Sequence, residues 1–217
     1  MKTPYTILIH LFIITFAWGE KPTSNLSIKL EIERSLDLGL DWLSKEQNRS
    51  SGNWGLDEYP ALTGLAVRSF LGHPSPQVPR KYEKSLSKGI NFIRSKVQSD
   101  GGIYGKGLAS YNTSICMMAL MQARNSEDDS IIQNARKFLI NQQSDFDRKG
   151  ETDNVFDGGV GYGSRWAHSD LSNTHLAMEA LFYAKKTYKN TEQEIIDLDW
   201  DAAISFVSKC QNLPSTN

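Results

Sequence analysis

The stretch Asp100-Gly101-Gly102-Ile103-Tyr104-Gly105 decides how this chain is read, because it returns twice in altered form. The relatives are Gly52-Asn53-Trp54-Gly55 and Asp157-Gly158-Gly159-Val160-Gly161-Tyr162-Gly163. Paired glycines permit φ > 0 and close backbone approach, so each stretch is a turn of fixed shape rather than a flexible tail. A motif recurring at wide intervals marks a repeat architecture, which constrains the fold before any single residue is weighed.

Working outward, each loop is preceded by an aromatic followed by an aliphatic residue and then a glutamine. The copies are Trp42-Leu43 with Gln47, Phe92-Ile93 with Gln98, Phe138-Leu139 with Gln143, and Phe206-Val207 with Gln211. The glutamine comes five residues after the aromatic in three copies and six after it at Gln98. The polar insert from Ser144 to Asn154 lengthens the third interval. An amide at this place can bond free backbone groups at neighbouring helix ends and staple adjacent hairpins, so the series is expected to be structural.

After each loop comes a second helical segment, and these also align. Ala61 to Val67, Tyr111 to Met117 and Ser172 to Met178 share a threonine, at Thr63, Thr113 and Thr174. The copy from Ile115 to Ala123 is apolar nearly all round, which predicts burial. The segment from Ile28 to Gln47 instead carries Glu31, Glu33, Arg34, Asp37, Lys45 and Glu46 around a stripe of Leu and Ile, which predicts a surface helix. The expectation is an all-α chain of helical hairpins in two concentric layers.

The aromatic, the glutamine and the Asp-Gly-Gly loop, taken together, resemble the repeat shared by squalene–hopene cyclases and protein prenyltransferase β-subunits. Asp170-Leu171-Ser172-Asn173-Thr174-His175 with Ala177 to Leu181 is most similar to exported bacterial proteins carrying such repeats. The resemblance covers residues 28–217 and implies an α/α toroid with a central cavity. Such a ring closes with about six hairpins. Three hairpins and the first helix of a fourth are legible here, so the expectation is an incomplete ring, truncated at the C-terminus. Self-association of two half-rings is the alternative.

The N-terminus reads as a signal peptide over residues 1–19. Lys2 precedes the apolar run Tyr5–Phe16, and Ala17-Trp18-Gly19 fits a cleavage site. The run is short of the ~20 residues a membrane span needs, with an uncleaved anchor as the alternative. The chain is therefore expected to be secreted or periplasmic, with no transmembrane helix beyond the signal peptide. What remains is long enough for one domain with a sizeable core, or for two small ones. A net charge of −1 with scattered Lys and Arg gives no footprint for nucleic acid. Cys116 and Cys210 lack zinc or redox spacing; an export compartment permits a disulfide between them without predicting one. No cofactor or metal is indicated.

The chemistry that the resemblance brings to mind lacks its motifs. Class II terpene cyclases protonate through Asp-x-Asp-Asp, which does not occur in this chain. Glu127-Asp128-Asp129 reads as a solvated turn, and Asp197-Leu198-Asp199-Trp200-Asp201 as acidic charge at a helix N-terminus. The prenyltransferase zinc set of Asp, Cys and His would find Asp170 but no cysteine between Gly159 and His175. No complement-like thioester motif is present either.

The densest group of reactive side chains is Asp153, Asp157, Tyr162, Arg165, Trp166, His168, Asp170 and His175. In a functional reading His175, Asp170 and His168 are the catalytic candidates, Arg165 binds an anion, and Tyr162 with Trp166 stacks on a sugar or isoprenoid. In a structural reading Asp157 shapes the turn, Asp170 caps the following helix, and His175 packs where the sister copies have Gly64 and Ser114. Two functions stay open: a non-catalytic binding or scaffold protein, and an enzyme acting on an isoprenoid lipid or a polysaccharide. A hydrophobic or glycan ligand suits both.

Overall fold

The computed structural model describes residues 25–163, 168–188 and 196–211. The expected signal peptide, Arg165 and Trp166 lie outside the described residues. Among those described there are eight α-helices and no strand: α1 Leu26–Glu46, α2 Pro60–Leu71, α3 Gln77–Lys81, α4 Glu83–Arg94, α5 Ala109–Ala123, α6 Asp129–Ile140, α7 Leu171–Thr187 and α8 Trp200–Lys209. The chain is all-α, as its periodicity predicts. Two compact units meet at Asp37 and Leu38. In the first, the described residues form the start of α1, where Lys29 pairs with Glu33 one turn on. The second carries every other helix.

Within the second unit, α5 packs between α2 and α7, while α4, α6 and α8 pack against α2, α5 and α7 in turn. Composition sorts the two rows. α5 buries nearly its whole length, including Ile115, Cys116, Met117, Ala119 and Leu120. α4 and α6 bury one stripe each: Leu86, Phe92 and Ile93, then Ile132, Phe138 and Leu139. Fully burying one such side chain contributes about 1.5–3 kcal/mol. Gly64 of α2 is small for a reason visible here: a Cβ on it would stand 3.0 Å from Ile115 of α5. The five-residue α3, which the repeat did not predict, fills the connection between α2 and α4.

The glycine loops join one hairpin to the next in a constant way. Gly52, Gly101 and Gly158 all have φ between 81° and 90°. A Cβ on Gly52 or Gly101 would come within 2.8 Å of the carbonyl oxygen of Lys88 or Asn134, and one on Gly158 would overlap that of Ala202. Lys88, Asn134 and Ala202 each stand four residues before the aromatic of the following helix, at Phe92, Phe138 and Phe206. Each loop is thus seated on the backbone of α4, α6 or α8. Glycine is required twice over, by its φ and by the contact.

The aligned threonines tie each loop to its own second helix. Thr63 Oγ1 accepts the backbone N–H of Trp54 at 3.0 Å, Thr113 that of Ile103 at 2.9 Å and Thr174 that of Val160 at 2.8 Å. These bonds are buried. The expected glutamine staple forms in two copies. Gln47 donates to the carbonyls of Gly52 and Ser85, both at 2.8 Å. Gln143 donates to Gly158 and Asp199 at 3.0 and 2.8 Å, and accepts from the N–H of Asp199. Ser85 and Asp199 occupy matching places, seven residues before Phe92 and Phe206.

Gln98 departs from this expectation. Its extra residue of spacing gives the stapling position to Val97, and its amide donates to Lys96 and Tyr104 within its own loop. The loop after Gln211 lies outside the described residues. A second correction concerns Glu127-Asp128-Asp129, expected as a solvated turn. Asp128 is fully buried and takes two bonds from Arg94 of α4, at 2.7 and 3.1 Å. A buried carboxylate needs such a partner, and here the pair clamps α4 to the start of α6. Asp199 behaves as the sequence predicts, capping α8 through the N–H of Ala202.

Candidate functional site

The reactive cluster of the third loop disperses into structural tasks. Asp157 is buried, accepting the backbone N–H groups of Phe146 and Asn154 at 2.7 Å each, so it closes the loop that precedes Gly158. Asp153 holds Arg148 at 2.9 Å. Asp170 has extended backbone and caps α7, accepting both the N–H and the side-chain amide of Asn173 at 2.8 Å. Such a cap is worth about 1 kcal/mol. Tyr162 is half-buried, and its carbonyl receives the N–H of Ser110 at the start of α5.

The two histidines lie at the surface. His168 is exposed, its ring edge-on to Phe156 at 6.3 Å between centroids. His175 is exposed as well, which corrects the expectation of an internal position. On α7 it lines a groove shared with α8, whereas the matching Gly64 of α2 faces Ile115 of α5. No hydrogen bond joins His175 to Asp170, two residues that the sequence offers as separate acid or base candidates. Among the described residues no group of three or more His, Cys, Asp or Glu side chains is placed to hold a metal. Cys116 is buried and Cys210 exposed, and both are free thiols. Burial pushes the Cys116 thiol well above its ordinary range.

Concave surfaces among the described residues include the following three. One, of about 620 Å³, is an apolar groove between α7 and α8, with Leu171, His175, Met178, Phe182, Ile204 and Val207 among its walls. Phe182, Tyr183 and Ile204 are 56%, 48% and 54% exposed, high values for large apolar side chains. A second, of about 450 Å³, lies where Trp42, Leu43 and Trp54 meet Leu62, Leu65 and Ala66 of α2. The third, of about 860 Å³, lies among the C-terminal parts of α2, α5 and α7, where Leu71, Met118 and Met121 are joined by Arg68, Arg124, Gln122 and Tyr183. Arg68 of α2 reaches Glu179 of α7 at 3.4 Å beside it, bridging the helices that flank α5.

The sequence draws attention to the third loop and does not by itself locate these faces. The signal for them was present in Leu62, Leu65, Phe182 and Ile204, apolar residues on helices whose neighbours could not be counted in advance.

Charge gathers around Asp197, three residues before α8. Asp197 accepts from Lys185 at 2.7 Å and from the indole N–H of Trp200 at 3.0 Å, with Arg136 of α6 at 3.7 Å. Burial raises its pKa, but the hydrogen bonds from Lys185 and Trp200 prevail and hold the carboxyl below the ordinary value of 3.8. In the second loop, the Tyr104 hydroxyl donates to Asp100 at 2.7 Å. That bond, with burial, pushes the Tyr104 pKa up to about 12. Both pairs fix loop geometry.

No helix among the described residues is long and apolar enough to cross a membrane. Compared with protein-family models, curated proteins and solved structures, the chain matches none.

Proposed function

We propose that this chain is an exported repeat protein of the squalene cyclase and prenyltransferase-like kind, part of an α/α toroid, acting as a non-catalytic binding scaffold. Residues 1–19 direct it out of the cytoplasm, and its working surface is the apolar groove between α7 and α8. The observation carrying this reading is that groove: large apolar side chains stand exposed together there, as soluble surfaces rarely allow unless something binds. Support for the ring comes from the constant seating of each loop on the next helix and from the Arg68–Glu179 bridge, which draws α2 and α7 together past α5.

The scaffold reading is preferred because Asp157 and Asp170 are committed to loop closure and helix capping. An enzymatic reading has one observation in its favour. The 860 Å³ pocket combines flexible Met walls with two guanidinium groups, which suits an isoprenoid carrying a polar head. The two are separated by incubating the purified chain with farnesol and with a chito-oligosaccharide and following both by mass spectrometry. The scaffold reading expects both to be recovered unchanged. A product that forms with the wild-type chain and disappears with His175→Ala would overturn it.

A further inference from the structure

We infer that the seam between the end of α1 and the α3–α4 segment is a docking surface for an acidic polysaccharide, bound by Lys45, Arg49, Lys81, Lys84 and Lys88. It is a second surface, separate from the α7–α8 groove, and its choice of a glycan rests on the export proposed above.

These cations look scattered in the sequence, since Arg49 and Lys88 are 39 positions apart, but the fold gathers them. Lys88 Nζ donates to the carbonyl of Arg49 at 2.8 Å, and Lys81 Nζ reaches Asp41 of α1 at 2.9 Å. Bonds from Tyr82 and then Lys81 hold the Asp41 carboxyl below its ordinary value, and the charge of nearby Lys45 adds to them. Lys84 stands one turn before Lys88 on α4 and is exposed, as Lys45 and Arg49 are. Residues 41–49 and 80–88 together hold six cations and three acids, in a chain whose net charge is −1. Of the acids, Asp41 is taken by Lys81, and Glu46 lines the hollow beside Trp42 and Leu62. Glu83 opens α4, where its charge favours the helix dipole.

An excess of one sign over a few neighbouring turns draws the opposite charge from a distance and bonds it at contact. A bilayer-binding face would set apolar side chains among its cations. Here hydroxyls stand at the seam, with Ser44 Oγ and Ser85 Oγ 3.5 Å apart, one from each side. Trp42, the exposed aromatic of this turn, lines the other hollow with Glu46. Hydroxyls that both donate and accept suit a hydroxylated chain, and the ammonium and guanidinium groups suit its carboxylates or sulfates. Duplex nucleic acid offers similar charge, but export takes the chain away from it.

The test is surface plasmon resonance of the purified chain on immobilised heparin and polygalacturonate, with phosphatidylglycerol vesicles and duplex DNA in parallel. Saturable binding to at least one of the two glycans is expected, weakening by roughly tenfold from low to physiological salt through screening. The triple variant Lys45→Glu, Arg49→Glu, Lys84→Glu should bind about tenfold more weakly still, at unchanged far-UV circular dichroism. A second triple variant, Lys137→Glu, Lys149→Glu, Lys186→Glu, alters net charge equally at exposed cations outside the seam and should stay within about twofold of the wild type. Binding to neither glycan, equal losses in the two triple variants, or tighter binding to the vesicles or to DNA would overturn the inference. None of the substituted residues lines the α7–α8 groove, so the scaffold reading is judged separately by the farnesol and oligosaccharide experiment.

Discussion

Gly158 sits directly on the backbone carbonyl of Ala202, with no room between them for a Cβ. The same relationship joins Gly52 to Lys88 and Gly101 to Asn134, so one contact, made three times, fixes each hairpin against the next.

Gly158→Ala is expected to destabilise the chain by about 3 kcal/mol, from strain at positive φ together with overpacking against α8. Gly107→Ala is the control. Its φ is also positive, at 68°, but nothing lies within 4 Å of the added methyl, so only the backbone term of about 1 kcal/mol remains. Urea unfolding of both variants measures the difference, and equal losses would mean that seating on α8 contributes nothing.

Thr113→Val and Thr174→Val each keep side-chain shape while removing the acceptor for a buried loop N–H. Each should cost about 1–3 kcal/mol, the penalty of an unsatisfied buried donor. Thermal unfolding reports it. Hydrogen exchange should place the loss at Ile103 in the first variant and at Val160 in the second.

Asp128→Ala removes the carboxylate that takes two of the Arg94 bonds and leaves the guanidinium with Asn91 and Glu127. Because Arg94 is 26% exposed and keeps those partners, the loss is that of its charged hydrogen bonds, about 1.5–3 kcal/mol. The double variant Arg94→Met with Asp128→Ala should recover part of that loss, and chemical denaturation of the three chains gives the comparison.

The Asp197 carboxyl is held below 3.8, so folding favours its charged form. The stability it contributes is complete above the unfolded value and declines as pH falls through the lower folded one. The urea midpoint should therefore drop from about pH 4 downward, and Asp197→Asn should flatten that part of the profile. An unchanged slope in the variant would remove Asp197 from the account.

Much of this architecture is legible in the sequence because it is periodic. Trp42, Phe92, Phe138 and Phe206 mark the helices that the loops approach, and the all-round apolar pattern of α5 foretells its burial. Thr63, Thr113 and Thr174 align visibly, yet their role depends on N–H groups 9, 10 and 14 residues earlier, which only the folded loop brings near. Asp128 looks solvated because its partner Arg94 lies 34 residues away. The departure of Gln98 was written in its spacing, one residue too long, but that offset says nothing by itself about where the amide will turn. Local pattern likewise misread His175: the repeat gives its register, while its exposure depends on whether another helix lies beside α7.

The most direct measurement is calorimetric titration of the purified chain with farnesol and with a chito-oligosaccharide, set beside the Phe182→Glu variant, whose altered side chain lines the α7–α8 groove. The account predicts saturable binding of one of the two that the variant loses at unchanged far-UV circular dichroism. Binding of neither, or equal binding by both chains, would contradict the groove as the working surface.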